Sequence, residues 1–551
     1  MAPRRARLLP LALVLVFAAG TLPTAAATAA GSDQDLVDLA CGMPHEELLR
    51  TWRGWSADRG GELQMIAEQP NFVGSGLPHV GPWDYVQDVP MFWYGPGFVP
   101  AQGSVKRPVT SVGITPTVAE LLHFPYTVPD GSPMKEALLP DAQRTHPPKL
   151  IVTLVWDAAG KNVLAAHPNS WPYLKSLIPK GTWFEDASVG SSPTSTAQIH
   201  ASMGTGAFPD DHLLVGHRLR VGNTLVTPWN QGPNLIVLPT LADLYDRAMG
   251  NEPLVGISAT VNIHFGMMSH GSFFNGGDRD LGMTRSVTGG GDTITEEGFE
   301  WNLPGQIKDY YTLPGYLNDT PGFQKDVDAV DRADGQFDGK WRNNSIDQLL
   351  QGFDTPARIP YQERVLESMV TREGFGRDDV PDLLYANFKE IDYISHVWTM
   401  NSPEMDDAIR AQDAALKEFV KFLDAEVGKR QWAMVLTADH GAIPDPKVSG
   451  AFQVSTTPIG SGLNEAFDTD GDDVPLVQLV QPTQIYVDEA ELRQSGGTLE
   501  DMARWIMDRT KANTAGAGVV VPASEQDDRV FAASFPSQLM THLDCLPEAR
   551  G

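Results

Sequence analysis

The sequence contains very little cysteine and no excess of basic residues. Its two cysteines, Cys41 and Cys545, stand near opposite ends of a 551-residue chain. In an oxidising compartment they are expected to pair, and the alternative is two unrelated free thiols. Lysine and arginine number 41 against 70 acidic residues, a formal net charge of −29. This balance argues against nucleic-acid binding through a broad basic face, and an anionic substrate would need local positive charge, which metal ions can supply.

After the N-terminus, the sequence also lacks any run long and apolar enough to be a membrane helix. Residues 1–30 have the pattern of a secretory signal. Three arginines, Arg4, Arg5 and Arg7, precede an apolar stretch at residues 8–19, and small residues follow at 25–30. The mature protein is therefore predicted to be secreted, with no stable membrane anchor.

Apolar segments that end in polar residues indicate the fold class. At 551 residues, the chain is long enough for one large domain with insertions, or for two or three domains. Strands alternating with helices favour an α/β sandwich. The predicted strands are residues 150–157, 254–258, 383–388 and 432–437, and the predicted helices are residues 170–178, 238–249 and 402–423. Residues 31–44 are predicted to be a polar lead, 141–149 a linker, and the Gly-, Asp- and Asn-rich segment 272–380 an insertion or cap.

A stretch of small hydroxyl residues, 191–206, follows a predicted strand at 184–188 and leads into a helix predicted to begin near Thr196. A hydroxyl at a helix N-terminus lies at the positive end of the helix dipole, beside unpaired backbone N–H groups. This position suits a nucleophile that must hold a phosphate. Taken alone, the stretch is better explained as an ordinary Ser or Thr N-cap, but the rest of the chain reverses that preference.

Acids and histidines stand at the predicted ends of three strands. They are Asp157, the pair Asp392 and His396, and the pair Asp439 and His440. Carboxylates and imidazoles are suitable ligands for Zn²⁺ and similar ions. Each pair alone is equally explained as a cap or a surface polar group. Three such positions around one hydroxyl stretch indicate a metal site.

These segments resemble the alkaline-phosphatase superfamily, and within it the type I phosphodiesterase/nucleotide pyrophosphatase branch. The resemblance is carried by Val-Trp-Asp at 155–157, Pro-Thr-Ser-Thr-Ala-Gln-Ile-His at 193–200, Ile-Asp-Tyr-Ile-Ser-His at 391–396 and Asp-His-Gly at 439–441. It implies a three-layer α/β sandwich with a central, mostly parallel sheet and an inserted cap region. It also implies two divalent metal ions, expected to be Zn²⁺, and Thr196 as the nucleophile. The implied ligands are Asp157, Asp439, His440 and Thr196 for one ion, and Asp392 and His396 for the other.

The second metal site of the family needs one more histidine, in a C-terminal His-Gly motif, and nothing after His440 fits. Residues 78–97 instead carry His79 ahead of an Asp-Val-Pro strand and a Tyr-Gly-Pro-Gly turn, which resembles the C-terminal stretch of the family. The resemblance therefore implies a circular permutation, in which residues 45–140 precede catalytic core segments at 150–271 and 381–551. His79 would then be the missing ligand, and Cys41 and Cys545 would lie close together and form a disulfide. The alternative is a decayed second site with an unrelated N-terminal domain.

The resemblance implies hydrolysis of small phosphate esters or nucleotide-like molecules through a phosphothreonine. Family diesterases usually place a phosphate-contacting Asn where this chain has His217, and no Lys or Arg near residues 258–260 matches the phosphate-binding cations of monoesterases. Loss of such cations weakens the binding of a dianionic monoester more than that of a monoanionic diester. A diesterase or pyrophosphatase is therefore favoured, with His217 as a substrate-binding candidate. His264 and His270 are equally explained as pocket residues or as packed histidines.

Other functions remain open on the sequence alone. They are an alkaline phosphomonoesterase, a phosphoglycerate-mutase-like or other phosphotransferase, and a non-catalytic metal-binding relative. A sulfatase is disfavoured because the chain has no Cys-x-Pro-x-Arg motif.

Overall fold

The protein is described from a computed structural model, which covers residues 33–230, 232–268, 270–285, 300–352, 355–472 and 474–550. The predicted signal segment, residues 1–30, lies outside the described residues. None of the helices in the described part of the chain is both long and apolar enough to cross a bilayer.

The strands of the described residues follow in chain order. They are β1 (Leu63–Ala67), β2 (Phe72–Val73), β3 (Met91–Tyr94), β4 (Gly103–Thr110), β5 (Leu150–Trp156), β6 (Thr182–Ser188), β7 (Leu219–Val221), β8 (Thr224–Val226), β9 (Val255–Ser258), β10 (Leu281–Met283), β11 (Lys340–Trp341), β12 (Asn344–Ser345), β13 (Asp382–Phe388), β14 (Trp432–Thr437), β15 (Gln453–Val454), β16 (Val477–Val480), β17 (Gln484–Val487) and β18 (Phe531–Pro536).

The α-helices are distributed between these strands. They are α1 (Asp33–Cys41), α2 (His45–Arg53), α3 (Asp84–Gln87), α4 (Ile114–Leu121), α5 (Lys161–Ala166), α6 (Pro172–Leu177), α7 (Thr196–Thr205), α8 (Pro209–His212), α9 (Leu241–Ala248), α10 (Phe323–Asp331), α11 (Ile346–Gly352), α12 (Arg358–Met369), α13 (Glu390–Trp398), α14 (Pro403–Leu423), α15 (Pro446–Ser449), α16 (Thr456–Phe467), α17 (Glu489–Gln494), α18 (Leu499–Met507) and α19 (Lys511–Thr514).

A mixed, mostly parallel sheet forms the centre of the molecule. Among the described residues its strand order is β10-β9-β13-β5-β14-β3-β6-β4, and only β3 runs against the others. Every residue of β5, β13 and β14 is buried, because helices cover both faces of a sheet built from such continuous apolar strands. The predicted α/β sandwich and its central parallel strands are confirmed.

The segment predicted as an insertion, residues 272–380, contributes to this framework. Within it, β10 pairs in parallel with β9 at the edge of the central sheet. Helix α12 packs against α14, the long helix that begins after Ser402, whose hydroxyl accepts a hydrogen bond from the backbone N–H of Met405. The segment therefore includes parts of the sandwich itself, which its low periodicity concealed.

The two ends of the described chain meet in a second, antiparallel sheet. Strand β1 lies between β17 and β18, so an N-terminal strand is held by two C-terminal ones. Beside this sheet, Cys41 and Cys545 form a disulfide with a Cα–Cα distance of 5.8 Å. The pairing expected from the sequence is thus present, and it closes a loop of nearly the whole chain.

Removing this bond is expected to lower stability substantially. The Cys41→Ser/Cys545→Ser double variant should lose about 3–5 kcal/mol of unfolding free energy, because a bond across so long a loop restricts the unfolded chain strongly. Denaturant unfolding should show a lower midpoint, and a reductant should shift the wild type to the same midpoint while leaving the variant unchanged. Equal midpoints for both proteins, with the wild-type bond verified by mass, would contradict the expectation.

Candidate active site

The candidate site lies at the carboxyl ends of the central strands of the large sheet. Because β5, β13 and β14 are adjacent and parallel, their carboxyl ends meet there. Asp157 directly follows β5, Asp439 and His440 follow β14, and Asp392 lies on α13, the helix that leaves β13. All four side chains are buried. Acidic and imidazole groups from three neighbouring strands thus converge as the sequence predicted.

His79 reaches the same site from the N-terminal segment. Its Nε2 atom lies 3.3 Å from Oδ1 of Asp392, and its ring stacks on that of His440 with the ring centres 3.4 Å apart. His396 Nε2 lies 3.5 Å from the same Asp392 oxygen. All the residues predicted to hold the second ion are therefore in contact.

His440 links this group to the predicted ligands of the first ion. Its Nε2 atom lies 3.2 Å from Oδ2 of Asp439, 3.6 Å from Oδ1 of Asp157 and 4.0 Å from Oδ1 of Asp392. Among the described residues, two sets of donors that include His440 could each hold an ion: His79, Asp392 and His440, and Asp157, Asp439 and His440. A third set at the same site is Asp157, His200 and His264. The predicted ligands form one continuous cluster.

The histidines of this cluster are oriented by backbone carbonyls. A carbonyl only accepts hydrogen bonds, so each Nδ1 atom carries the proton and each Nε2 lone pair faces the carboxylates. The three pairs are His79 Nδ1 with the Thr194 carbonyl at 3.0 Å, His396 Nδ1 with the Gly76 carbonyl at 2.5 Å, and His440 Nδ1 with the Gly441 carbonyl at 3.0 Å. Lone pairs directed at carboxylate oxygens repel them unless a cation lies between.

Several buried atoms of the cluster have no hydrogen-bond partner among the described residues. They are Oδ1 of Asp392, Oδ2 of Asp439 and Nε2 of His440. Such atoms are costly to bury unless something binds them. A divalent cation would satisfy all three, so the residues present fit a metal centre.

The electrostatics of the cluster support the same interpretation. Burial lowers the pKa of His79 to about 4, with a further contribution from His440, so its imidazole is neutral and able to ligate. Burial also works to lower the pKa of His440, but Asp439 and then Asp157 outweigh it and raise that pKa to about 9. Without an ion, a proton would occupy the His440 lone pair that an ion would take.

Thr196 lies beside this cluster, against the ammonium of Lys389, which also contacts Asp157 and Asp392. It is the first residue of α7, Ser195 precedes it in an extended conformation, and both are buried. The helix therefore begins where the sequence predicts, with the threonine hydroxyl beside the free N–H groups of its first turn. Of the side chains that the structure describes, Lys389 lies within hydrogen-bonding distance of this hydroxyl, with its Nζ atom at 3.1 Å.

Sequence analysis missed several residues of the site. Lys389 follows β13 and precedes Asp392 by three positions, a spacing that places both on one side of a helical turn. Asn387 Nδ2 donates to Oδ2 of Asp157 at 2.9 Å and lies 3.0 Å from Nε2 of His200. The sequence signal that could have identified Lys389 and Asn387 was their position at the end of an apolar strand. His200, one turn after Thr196, was quoted only as part of a motif.

The three histidines considered for the substrate pocket have different positions. His264 belongs to the site, with Nε2 3.2 Å from Oδ2 of Asp157. His270 pairs instead with Asp243, at 2.6 Å between Nδ1 and Oδ2. His217 is accessible to solvent, yet the surrounding protein and then the charge of Lys389 lower its pKa to about 4.

A mostly parallel sheet, with a threonine at the start of a helix beside clustered aspartates and histidines, defines the class of this protein as an α/β sandwich of the alkaline-phosphatase superfamily. Residues 151–531 match the family model of type I phosphodiesterase / nucleotide pyrophosphatase. The chain belongs to this family.

Individual relatives are distant. The chain is 23% identical to a "Calcium-transporting ATPase" of Myroides odoratus, over 59% of this chain and 66% of that protein. It is 22% identical to alkaline phosphatase PafA of Elizabethkingia meningoseptica, over 73% and 80%, and 24% identical to alkaline phosphatase PhoV of Synechococcus elongatus, over 54% and 60%. The chain thus spans just under two thirds of the first of these proteins.

A solved structure supports the fold. The crystal structure of wild-type alkaline phosphatase PafA matches with a TM-score of 0.52 at 18% identity, covering 71% of this chain and 84% of that one.

Proposed function

We propose that this protein is a metal-dependent hydrolase of phosphoric esters that works through a covalent phosphothreonine at Thr196. The observation that carries the proposal is the Thr196 hydroxyl at the start of α7, beside a buried cluster of aspartates and Nε2-directed histidines. The family match and the phosphatase relatives agree with this chemistry.

The chain's own residues account for the covalent steps. The Thr196 hydroxyl gives its proton to solvent, Oγ1 forms a bond to phosphorus, and the bond to the leaving oxygen breaks. The leaving group keeps the electron pair and takes a proton from water. Water then adds to the phosphothreonine, the bond from phosphorus to Oγ1 breaks, and Thr196 recovers a proton.

The predicted ligands would hold the ions in two groups. His79, Asp392 and His396 would hold one, and Asp157, Asp439, His440 and Thr196 the other. Divalent ions at such positions lower the pKa of a coordinated hydroxyl and offset charge on attacking and leaving oxygens. Imidazole and carboxylate donors favour Zn²⁺, which metal analysis of the purified protein would test.

The substrate proposed is a phosphodiester or a pyrophosphate-linked nucleotide. His217 is within electrostatic range of the site, since the charges of Lys389, His79, Asp392 and His440 all affect its pKa. A neutral imidazole there would donate to a phosphate oxygen without adding a full positive charge. Such a donor suits a monoanionic diester better than a dianionic monoester.

We also propose that the chain is a circular permutant. Its N-terminal segment supplies β3 to the central sheet and His79 to the cluster, although the family match begins at residue 151. In a permutant, the two present ends of the chain would once have been continuous in sequence. The disulfide between Cys41 and Cys545 now joins these ends. Export remains part of the proposal, and the mass of the mature protein, shorter by the first 30 or so residues, would test it.

The decisive experiment compares matched aryl phosphate monoester and diester substrates with and without chelator. Hydrolysis of the diester should be faster by about 10-fold or more, since the site offers few fixed cations for a dianion. Chelation should abolish both activities, and added Zn²⁺ should restore them. A faster monoester would instead make the protein an alkaline phosphomonoesterase, and no hydrolysis of either would favour a non-catalytic relative.

A further inference from the structure

Lys389 occupies a position that the predicted metal chemistry does not explain. Its Nζ atom lies 2.8 Å from Oδ1 of Asp157, 2.8 Å from Oδ2 of Asp392 and 3.1 Å from Oγ1 of Thr196. The side chain is buried, with 7% of its surface exposed. An ammonium group has three donors, and here each of the three faces one oxygen.

The position of Lys389 leaves the cluster atoms that have no hydrogen-bond partner available to bind ions. Lys389 takes Oδ2 of Asp392, whereas Oδ1 of Asp392 faces His79 and His396. The unpartnered Oδ2 of Asp439 makes no hydrogen bond to the lysine either. The ammonium therefore bridges the two ligand groups. It leaves these unpartnered atoms to the ions, and it shares Asp157 and Thr196 with the ion that they would hold.

The charges of the site explain how a buried lysine is tolerated. Burial works to lower the pKa of Lys389, but the carboxylates of Asp157 and Asp392 outweigh it and hold that pKa above its usual value. Three buried carboxylates, Asp157, Asp392 and Asp439, act electrostatically on this ammonium. Two of them, Asp157 and Asp392, contact the ammonium directly, so the charge of the lysine is paired within the protein.

We propose that Lys389 is a catalytic residue, a built-in cation that aligns Oγ1 of Thr196 and stabilises its negative charge. This inference rests on the proposed function, because it assigns Thr196 the role of nucleophile. As Thr196 loses its proton and attacks phosphorus, the lysine N–H stabilises the oxyanion. When the phosphothreonine is hydrolysed, the same N–H stabilises Oγ1 as it leaves. The ammonium keeps all its protons in both steps.

The central test uses Lys389→Met, which keeps the length of the side chain and removes its charge. We expect kcat to fall by about 10²–10³-fold, the loss typical of removing one donor from an oxyanion site. Rapid-quench measurements should show slower formation of the phosphothreonine. Metal content, measured by mass spectrometry, should stay equal to that of the wild type.

Two further variants separate catalysis from structure. Lys511→Met removes a lysine that also bridges two carboxylates, Glu525 and Asp528 at 2.9 and 3.0 Å, but lies outside the site; it should keep wild-type kcat. Lys389→Ala leaves a cavity that propylammonium fits, so this ion should restore part of the lost activity. Neutral propanol should not.

The outcomes distinguish the two proposals. A wild-type protein that hydrolyses no phosphate ester would overturn the proposed function itself. An active wild type with a fully active Lys389→Met variant would overturn the role of the lysine alone. The role of the lysine would also be overturned if Lys389→Met lost metal together with activity, or if propylammonium failed to restore activity to Lys389→Ala. The lysine would then act only by holding the metal ligands in place.

Discussion

Replacing Thr196 by alanine is expected to reduce turnover by about 10³-fold or more while the metal content stays close to that of the wild type. The proposed nucleophilic oxygen is lost, and the hydroxyl of the preceding residue, Ser195, donates to Oε1 of Gln198 at 2.5 Å. The aspartates and histidines remain, so most of the ligand set survives. Activity assays and elemental analysis of the same preparation provide the measurement.

Two controls sharpen this expectation. Thr196→Ser retains a hydroxyl and should keep activity within about 10-fold of the wild type. Thr205→Ala removes a buried hydroxyl from the other end of the same helix, where it donates to the Ala201 carbonyl at 2.8 Å, and should remain active. Acid quenching during turnover should trap phosphate on the peptide that contains Thr196. Full activity of the alanine variant, or phosphate on another residue, would refute the assignment.

His79→Ala is expected to have the second largest effect, and it tests the permutation directly. The imidazole Nε2 atom lies 3.3 Å from Asp392, and its removal takes away the proposed ligand that comes from the N-terminal segment. Metal content should fall by about one ion per chain. kcat/KM should fall by about 10²–10³-fold, corresponding to several kcal/mol of lost transition-state stabilisation.

His45→Ala is the matched control. This histidine belongs to the same segment, but its side chain is 47% exposed and pairs with Glu548 at 3.3 Å, away from the site. It should keep the metal content and activity of the wild type. Unchanged metal content in His79→Ala would indicate that the N-terminal segment does not complete the centre, and the permutation proposal would fail with it.

Much of the site was accessible from the sequence because its residues follow strongly apolar strands. Asp157, Asp439 and His440 end β5 and β14, and parallel strands bring their carboxyl ends together. Lys389 was missed for a related reason. A lysine after a strand ordinarily lies in solvent, and only the packed structure reveals that its ammonium is directed inward, between Asp157 and Asp392.

The edges of the fold were also difficult to predict. Strand β10 has only Leu281–Met283, too short a run for periodicity to distinguish it from a loop. Strand β3 was expected as a strand, but its place between β14 and β6, antiparallel to both, is a long-range pairing. Local sequence carries no information about which distant strand completes a ladder.

The sequence by itself determined the α/β class, the strand ends that carry the acids, and the helix that begins at Thr196, because these depend on local apolar pattern and capping. Only the tertiary structure decided that His79 meets Asp392, that Cys41 bonds to Cys545, and that a lysine lies against the threonine hydroxyl. These contacts join groups that are distant in the chain or oriented by packing. Burial and charge balance fix them, and both are properties of the folded molecule as a whole.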